Sequence, residues 1–240
     1  IYGSVFGGGE EGHVLRDVKM NIRDGAKIGT HGTTENEGNV FGGGRGYSGM
    51  ALTAGSTGGN VTMDITGGKI LGSVYGGGRM SSVGIGFTPP EDLYYGLLID
   101  DTDEDKDGNI EPSETHGHVT IKISGGKIGK ETVDETASHP AGGNVYGGSK
   151  GRITYLNGTP NPLWPKQAVV KLSNITISGG EIMNSVYGGG ELGVVRNRAT
   201  VNVSGTANIH GNVFGGGYGS DEQDKTTISA GGYDDIYYTF

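Results

Sequence analysis

Gly72-Ser73-Val74-Tyr75-Gly76-Gly77-Gly78 decides the fold, because it does not stand alone. The pattern returns as Gly3-Ser4-Val5-Phe6-Gly7-Gly8-Gly9, Gly38-Asn39-Val40-Phe41-Gly42-Gly43-Gly44 and Gly143-Asn144-Val145-Tyr146-Gly147-Gly148-Ser149. It returns again as Asn184-Ser185-Val186-Tyr187-Gly188-Gly189-Gly190 and Gly211-Asn212-Val213-Phe214-Gly215-Gly216-Gly217. Chance does not give so many matches, even in a chain with 51 glycines among 240 residues. Self-similarity at such spacing marks a repeat architecture.

Outward from the motif, a second element precedes most copies. Val61 to Ile70 alternates apolar and polar residues, as do Val119 to Ile128, Ile175 to Ile182 and Val201 to Ile209, with Val18 to Ile28 looser. Alternation with period two reads as a strand with one buried face. Val61, Met63 and Ile65 would point inward with Val119, Ile121 and Ile123 stacked on them, while Thr62, Asp64, Thr120 and Lys122 face solvent. Each unit is then strand, Gly-Gly corner, short strand, Gly-Gly-Gly corner. The corner glycines, among them Gly42, Gly76 and Gly188, are expected to include residues at φ > 0.

The motif valines stand at 5, 40, 74, 145, 186 and 213. The last interval is the shortest and reads as the bare unit. The longest interval holds one alternating strand, so it is one unit with a long insertion. A propeller blade of roughly 40 residues and four strands does not fit. The expected fold is all-β, a parallel β-helix solenoid of about six rungs over residues 1–240. It is expected to be right-handed, as parallel crossovers generally are. Ile1-Tyr2-Gly3 matches Ile70-Leu71-Gly72 without the strand before it, and Thr226 to Gly232 begins another alternating strand. Further repeats or neighbouring chains are therefore expected to cover the ends.

Composition excludes several classes. Glycine does not recur at every third position, so collagen is out, and the regular apolar runs are foreign to a flexible linker. There is no cysteine, so neither disulfides nor thiolate chemistry arise. A formal net charge of −9 and a pI near 5.1 argue against nucleic acid as a partner. No stretch approaches the roughly 20 apolar residues of a membrane helix, so no membrane insertion by these residues is expected.

Insertions concentrate at two corners. After the Gly-Gly-Gly come Arg45 to Asn60, Arg79 to His118, Gly151 to Gln167 and Tyr218 to Lys225. After the Gly-Gly-x-Ile come Thr30 to Glu37 and Lys130 to Gly142. The insertion at 79–118 contains Asp103-Glu104-Asp105-Lys106-Asp107-Gly108-Asn109-Ile110-Glu111-Pro112-Ser113-Glu114, which fits the EF-hand calcium loop. Calcium takes six to eight oxygens. Asp103, Asp105 and Asp107 would converge on it, Asn109 would give its carbonyl, Glu111 would bind through water and Glu114 would close the site in bidentate fashion. Pro112 stands where a helix would normally leave the loop, so a single Ca²⁺ site that orders the insertion is expected, not a paired sensor. The second insertion, 151–167, carries Trp164, a candidate platform for a sugar ring. His116 and His118 have zinc-like spacing but no third ligand in sight.

The motif aromatics form one file through Phe6, Phe41, Tyr75, Tyr146, Tyr187 and Phe214. Unbroken parity from Ile70 would turn the rings outward, where Tyr75, Tyr146 and Tyr187 could stack on sugars. A corner near Gly72 that resets parity would make them a core stack. Both arrangements are open to the sequence.

The Gly-Gly-x-Ile and Val-aromatic-Gly-Gly-Gly corners resemble repeats of secreted or surface β-helix proteins of Gram-negative bacteria: autotransporter passengers, polymorphic outer-membrane proteins and Bacteroides-type surface repeat proteins. The resemblance covers nearly the whole chain outside the insertions. It implies an extracellular or cell-surface scaffold, an adhesin or glycan-binding stalk whose partner is a glycan or a host or cell-surface protein. The alternative is a polysaccharide lyase or hydrolase of the β-helix type, for which no cluster of catalytic side chains is evident.

Overall fold

The computed structural model describes residues 1–29, 38–46, 54–84, 116–130, 142–152, 155–156, 159–160 and 168–219. These residues are all-β and build two parallel sheets. The short sheet consists of β1 (Val5–Phe6), β4 (Val40–Phe41), β6 (Val74–Tyr75), β8 (Val145–Tyr146), β12 (Val186–Tyr187) and β15 (Val213–Phe214), hydrogen-bonded in that order. The long sheet runs β2 (Val18–Ile22), β5 (Val61–Ile70), β7 (His118–Ile128), β11 (Val170–Ile182), β13 (Val195–Val203). At its far end β3 (Lys27–Ile28) pairs with β5, and β14 (Asn208–Ile209) with β11. In both sheets spatial order is chain order. The chain therefore lays down tiers, each adding a strand to one sheet and then to the other. A separate antiparallel pair joins β9 (Tyr155–Leu156) to β10 (Thr159–Pro160).

Register turns the repeats into files of like residues. The six motif valines pair in sequence, Val5 with Val40, Val40 with Val74, and so on to Val213. In the long sheet Met20, Met63, Ile121, Ile175 and Val201 form one file, and Ile22, Ile65, Ile123, Ile177 and Val203 another. Ile28, Ile70, Ile128, Ile182 and Ile209 form a third. Apart from the exposed Val203 and Val213 in the last tier, these files and the valines make a single core, buried in its inner tiers and partly buried at its ends. Replacing Ile121, which is 0% exposed, by alanine would cost about 2–5 kcal/mol. The file that starts Val18, Val61, Val119 continues into Ser173 and Ala199. Ser173 stays in the core because its hydroxyl donates to the Gly188 carbonyl.

The residue before each motif valine alternates Ser4, Asn39, Ser73, Asn144, Ser185, Asn212. Each of the first five side chains accepts a hydrogen bond from the backbone N–H of the next tier. Asn39 N donates to Ser4 Oγ (3.1 Å), Ser73 N to Asn39 Oδ1 (2.8 Å) and Asn144 N to Ser73 Oγ (3.2 Å). Ser185 N then donates to Asn144 Oδ1 (3.1 Å) and Asn212 N to Ser185 Oγ (3.0 Å). Buried amides that the two-residue strands leave over are satisfied this way.

A further file lies between the short strand and the next long strand. Val14 bridges Thr57, and Thr57 bridges Val83. It continues where Val83 N donates to Val169 O and Val170 N to Val194 O. Thr57 and Val83 lie inside the stretches 45–60 and 79–118, so parts of those expected insertions belong to the stack.

One expectation about the corners is corrected. Gly42, Gly76 and Gly188 do not have positive φ. They are glycines because tiers meet there: a Cβ on Gly76 would lie 2.2 Å from Val119 Cγ1 and 2.4 Å from Gly147 O. The left-handed conformation belongs to the other corner, at Gly68 (φ 87°), Gly126 (87°) and Gly180 (85°).

Candidate functional site

The insertions leave the stack in a regular way. Thr57 pairs with Val83, and Val61 with Val119. Between Thr57 and Val61 stand Gly58, Gly59 and Asn60. Between Val83 and Val119 stand Gly84, then 85–116, then Gly117 and His118. The hydrogen bonds agree: Gly84 N donates to Thr57 O as Gly58 N does to Val14 O, and Gly117 N donates to Gly59 O as Gly59 N does to Arg16 O. Residues 85–116 are thus spliced between two residues that are consecutive in the tier before.

The same holds at the second corner. Leu71-Gly72 and Met183-Asn184 connect Ile70 to Val74 and Ile182 to Val186 without interruption, each followed by the Ser of the motif. In the equivalent places Gly29 and Gly38 flank 30–37, and Gly129 and Gly143 flank 130–142. All three necks close tightly. A Cβ on Gly29 would lie 2.4 Å from Gly38 Cα, one on Gly84 2.4 Å from Gly117 Cα, and one on Gly129 2.7 Å from Gly143 Cα. All six glycines have positive φ.

Asp103, Asp105, Asp107, Asn109, Glu111 and Glu114 lie outside the described residues, as does Trp164. Among the described residues no group of three His, Asp or Glu side chains is placed to hold a metal ion. No helix among them is long and apolar enough to cross a membrane.

The described candidates are the tyrosines. Phe6, Phe41, Tyr75, Tyr146, Tyr187 and Phe214 stack face to face, with successive ring centroids 4.8, 4.7, 4.9, 5.0 and 5.0 Å apart. Tyr75 and Tyr146 are 3% exposed and Tyr187 9%. They form a cluster separate from the valine core, so the inner short strands β4, β6, β8 and β12 are buried on both faces. A sugar platform needs an open ring face, and stacked neighbours occupy both faces of Tyr75, Tyr146 and Tyr187. Among the described residues, exposed rings come at the end of the file, Phe214 (43%) and Tyr218 (38%), the latter edge-on to Tyr187 at 5.6 Å, and at Tyr2 (68%) outside it.

A polar clasp closes over the stack. The Tyr75 hydroxyl donates a short hydrogen bond to Glu191 Oε2. Lys150 Nζ lies 3.7 Å from Glu191 Oε1 and 5.9 Å from the Tyr75 ring centroid. Burial, and then the Glu191 charge, hold the Tyr75 hydroxyl well above the usual tyrosine range, and the same two causes raise Tyr146. Both are therefore neutral near pH 7, and Tyr75 serves as a donor, not as a base. The sequence carried no signal for this clasp, because Tyr75 and Glu191 are 116 residues apart.

Set against family models, curated proteins and solved structures, the chain matches none of them.

Proposed function

We propose that this chain is a right-handed β-helical scaffold of a secreted or cell-surface protein, acting as an adhesin or glycan-recognition stalk. The observation that carries the reading is the neck geometry. A stack of tiers runs on unchanged through Gly29/Gly38, Gly84/Gly117 and Gly129/Gly143, while segments of different length leave between them. Such a framework presents variable segments without disturbing its own core, which suits recognition. The files of like residues and the shared order of both sheets support the β-helical path.

Within this reading Asp103, Asp105, Asp107, Asn109, Glu111 and Glu114 bind one Ca²⁺ and order the insertion. Four ligand carboxylates in so short a loop repel one another until a divalent ion neutralises them. An affinity of about 10⁻⁴ to 10⁻³ M is expected, as for extracellular modules. Calorimetry on the wild type and on Asp103→Ala with Glu114→Ala tests the site. Calcium heat only in the wild type supports it, and equal heats contradict it. A panel of neutral and acidic polysaccharides against the immobilised chain tests recognition, and failure to retain any of them would remove the glycan part of the reading.

A further inference from the structure

Although the chain carries a net charge of −9, the outer face of its long sheet is rich in cations. Lys19, Arg23, Lys27, Lys69 and Lys122 are exposed there, and Lys127 is half-buried. Lys27, Lys69 and Lys127 stand in one register file, beside the necks at Gly29 and Gly129. Adjacent tiers lie about 4.8 Å apart, so the three ammonium groups follow one another along the stacking direction. Like charges directly opposite on neighbouring strands are unfavourable.

The file shows how such repulsion is relieved. In the next tier Glu181 takes the position, and its carboxylate lies 3.0 Å from Lys127 Nζ and 3.0 Å from His210 Nε2. Among the described residues Lys27 and Lys69 make no ion pair. The acids nearest on this face are Asp17, which accepts from Asn60 N, Asp24 at the corner, and Asp64, which is in register with Lys122. Beside the lysines stand the hydroxyls of Thr62, Thr66 and Thr120.

We propose that this face binds an acidic polysaccharide, whose carboxylates or sulfates run along the file Lys27, Lys69, Lys127 while its hydroxyls meet the neighbouring threonines. The proposal rests on the glycan-recognition reading and names its ligand class. Lysine is a mobile point charge on a long stem, suited to anionic groups that recur along a chain without fixed orientation. Among the described residues the strands of this face carry no Phe, Tyr or Trp on which bases could stack, which favours a polysaccharide over a single-stranded nucleic acid.

The test measures binding of the whole chain to carboxylated, sulfated and neutral polysaccharides and to single-stranded DNA, at low and high salt. Binding of an acidic polysaccharide that weakens with salt is expected. Lys27→Gln with Lys69→Gln should weaken it about fivefold to tenfold, from two exposed ion pairs. Arg79→Gln with Arg152→Gln makes the same change in net charge in the corners that follow β6 and β8, away from this face, and should leave it within about twofold. Retention of the sulfated polymer alone below about pH 4 identifies sulfate, and loss there identifies carboxylate. Binding of neutral polymers only, equal binding by the lysine variant, or tighter binding of DNA would overturn the proposal and leave the scaffold standing. Binding of nothing would remove the glycan reading with it. A lysine variant that melts several degrees lower yet binds as before would mean that the file serves the chain's own carboxylates.

Discussion

Gly76 and Gly126 both stand in Gly-Gly corners, yet they are glycine for different reasons. Gly76 has an ordinary φ and no room: its Cβ would strike Val119 and the Gly147 carbonyl of the next tier. Gly126 has φ 87°, a conformation that side chains disfavour wherever they point. The short-sheet corner is thus set by the distance between tiers alone, whereas the long-sheet corner adds the path of one strand to the same crowding, since a Cβ on Gly126 would also lie 2.8 Å from the Gly67 carbonyl. Two other glycines separate the causes. Gly25 is left-handed (φ 84°) with nothing within 4 Å of its would-be Cβ. Gly215 occupies the motif position of Gly76 in the last described tier, with ordinary φ and no described residue within 4 Å.

These contrasts set an order of effects in denaturant unfolding. Gly76→Ala should be the most damaging, at about 3 kcal/mol or more, because the added carbon meets backbone and a core valine together. Asn144→Ala should follow at about 1–3 kcal/mol, since it leaves the buried Ser185 N–H without its acceptor. Gly25→Ala should lose about 1–2 kcal/mol from φ alone. Gly215→Ala should stay within about 0.5 kcal/mol. Equal losses at Gly76 and Gly215 would mean that contact between tiers is not what selects glycine in the motif.

The core and the aromatic stack also differ in their response to pH. Lys171, in the long sheet, is lowered from the usual 10.5 to about 8, by burial and then by Arg196. Between those values the unfolded chain holds more protons than the folded one, so stability should rise from about pH 8 towards 10. Tyr75 and Tyr146 are raised above 10.0, chiefly by burial, so the folded chain keeps protons that the unfolded chain loses. Their contribution is intact below pH 10 and fades above it. Urea midpoints should therefore peak near pH 10. In Lys171→Met the rise should disappear and the alkaline fall remain.

The valine and isoleucine files were legible because a short motif and strict alternation survive every insertion. The third file was not. His13-Val14, Ser56-Thr57, Ser82-Val83 and Ala168-Val169 share no residue pattern, and they sit within or beside stretches that read as loop. The Ser/Asn alternation was in plain view, but its meaning depends on which backbone N–H comes next in space. For the aromatics, parity posed a choice between core and solvent. The rings are buried apart from the valine core, under a clasp contributed by Glu191 and Lys150. The calcium loop was read from ligand chemistry alone, and its residues lie outside those described.

The central claim is that the insertions are spliced between residues that neighbour each other in the stack. The most direct measurement is thermal unfolding of a chain in which residues 85–116 are deleted and Gly84 is joined to Gly117. That junction reproduces the Gly58-Gly59 turn of the preceding tier. The β-sheet circular dichroism should be retained, and the midpoint should stay within about 3 °C of the parent. Collapse of the β signal, or a much lower midpoint, would contradict the claim.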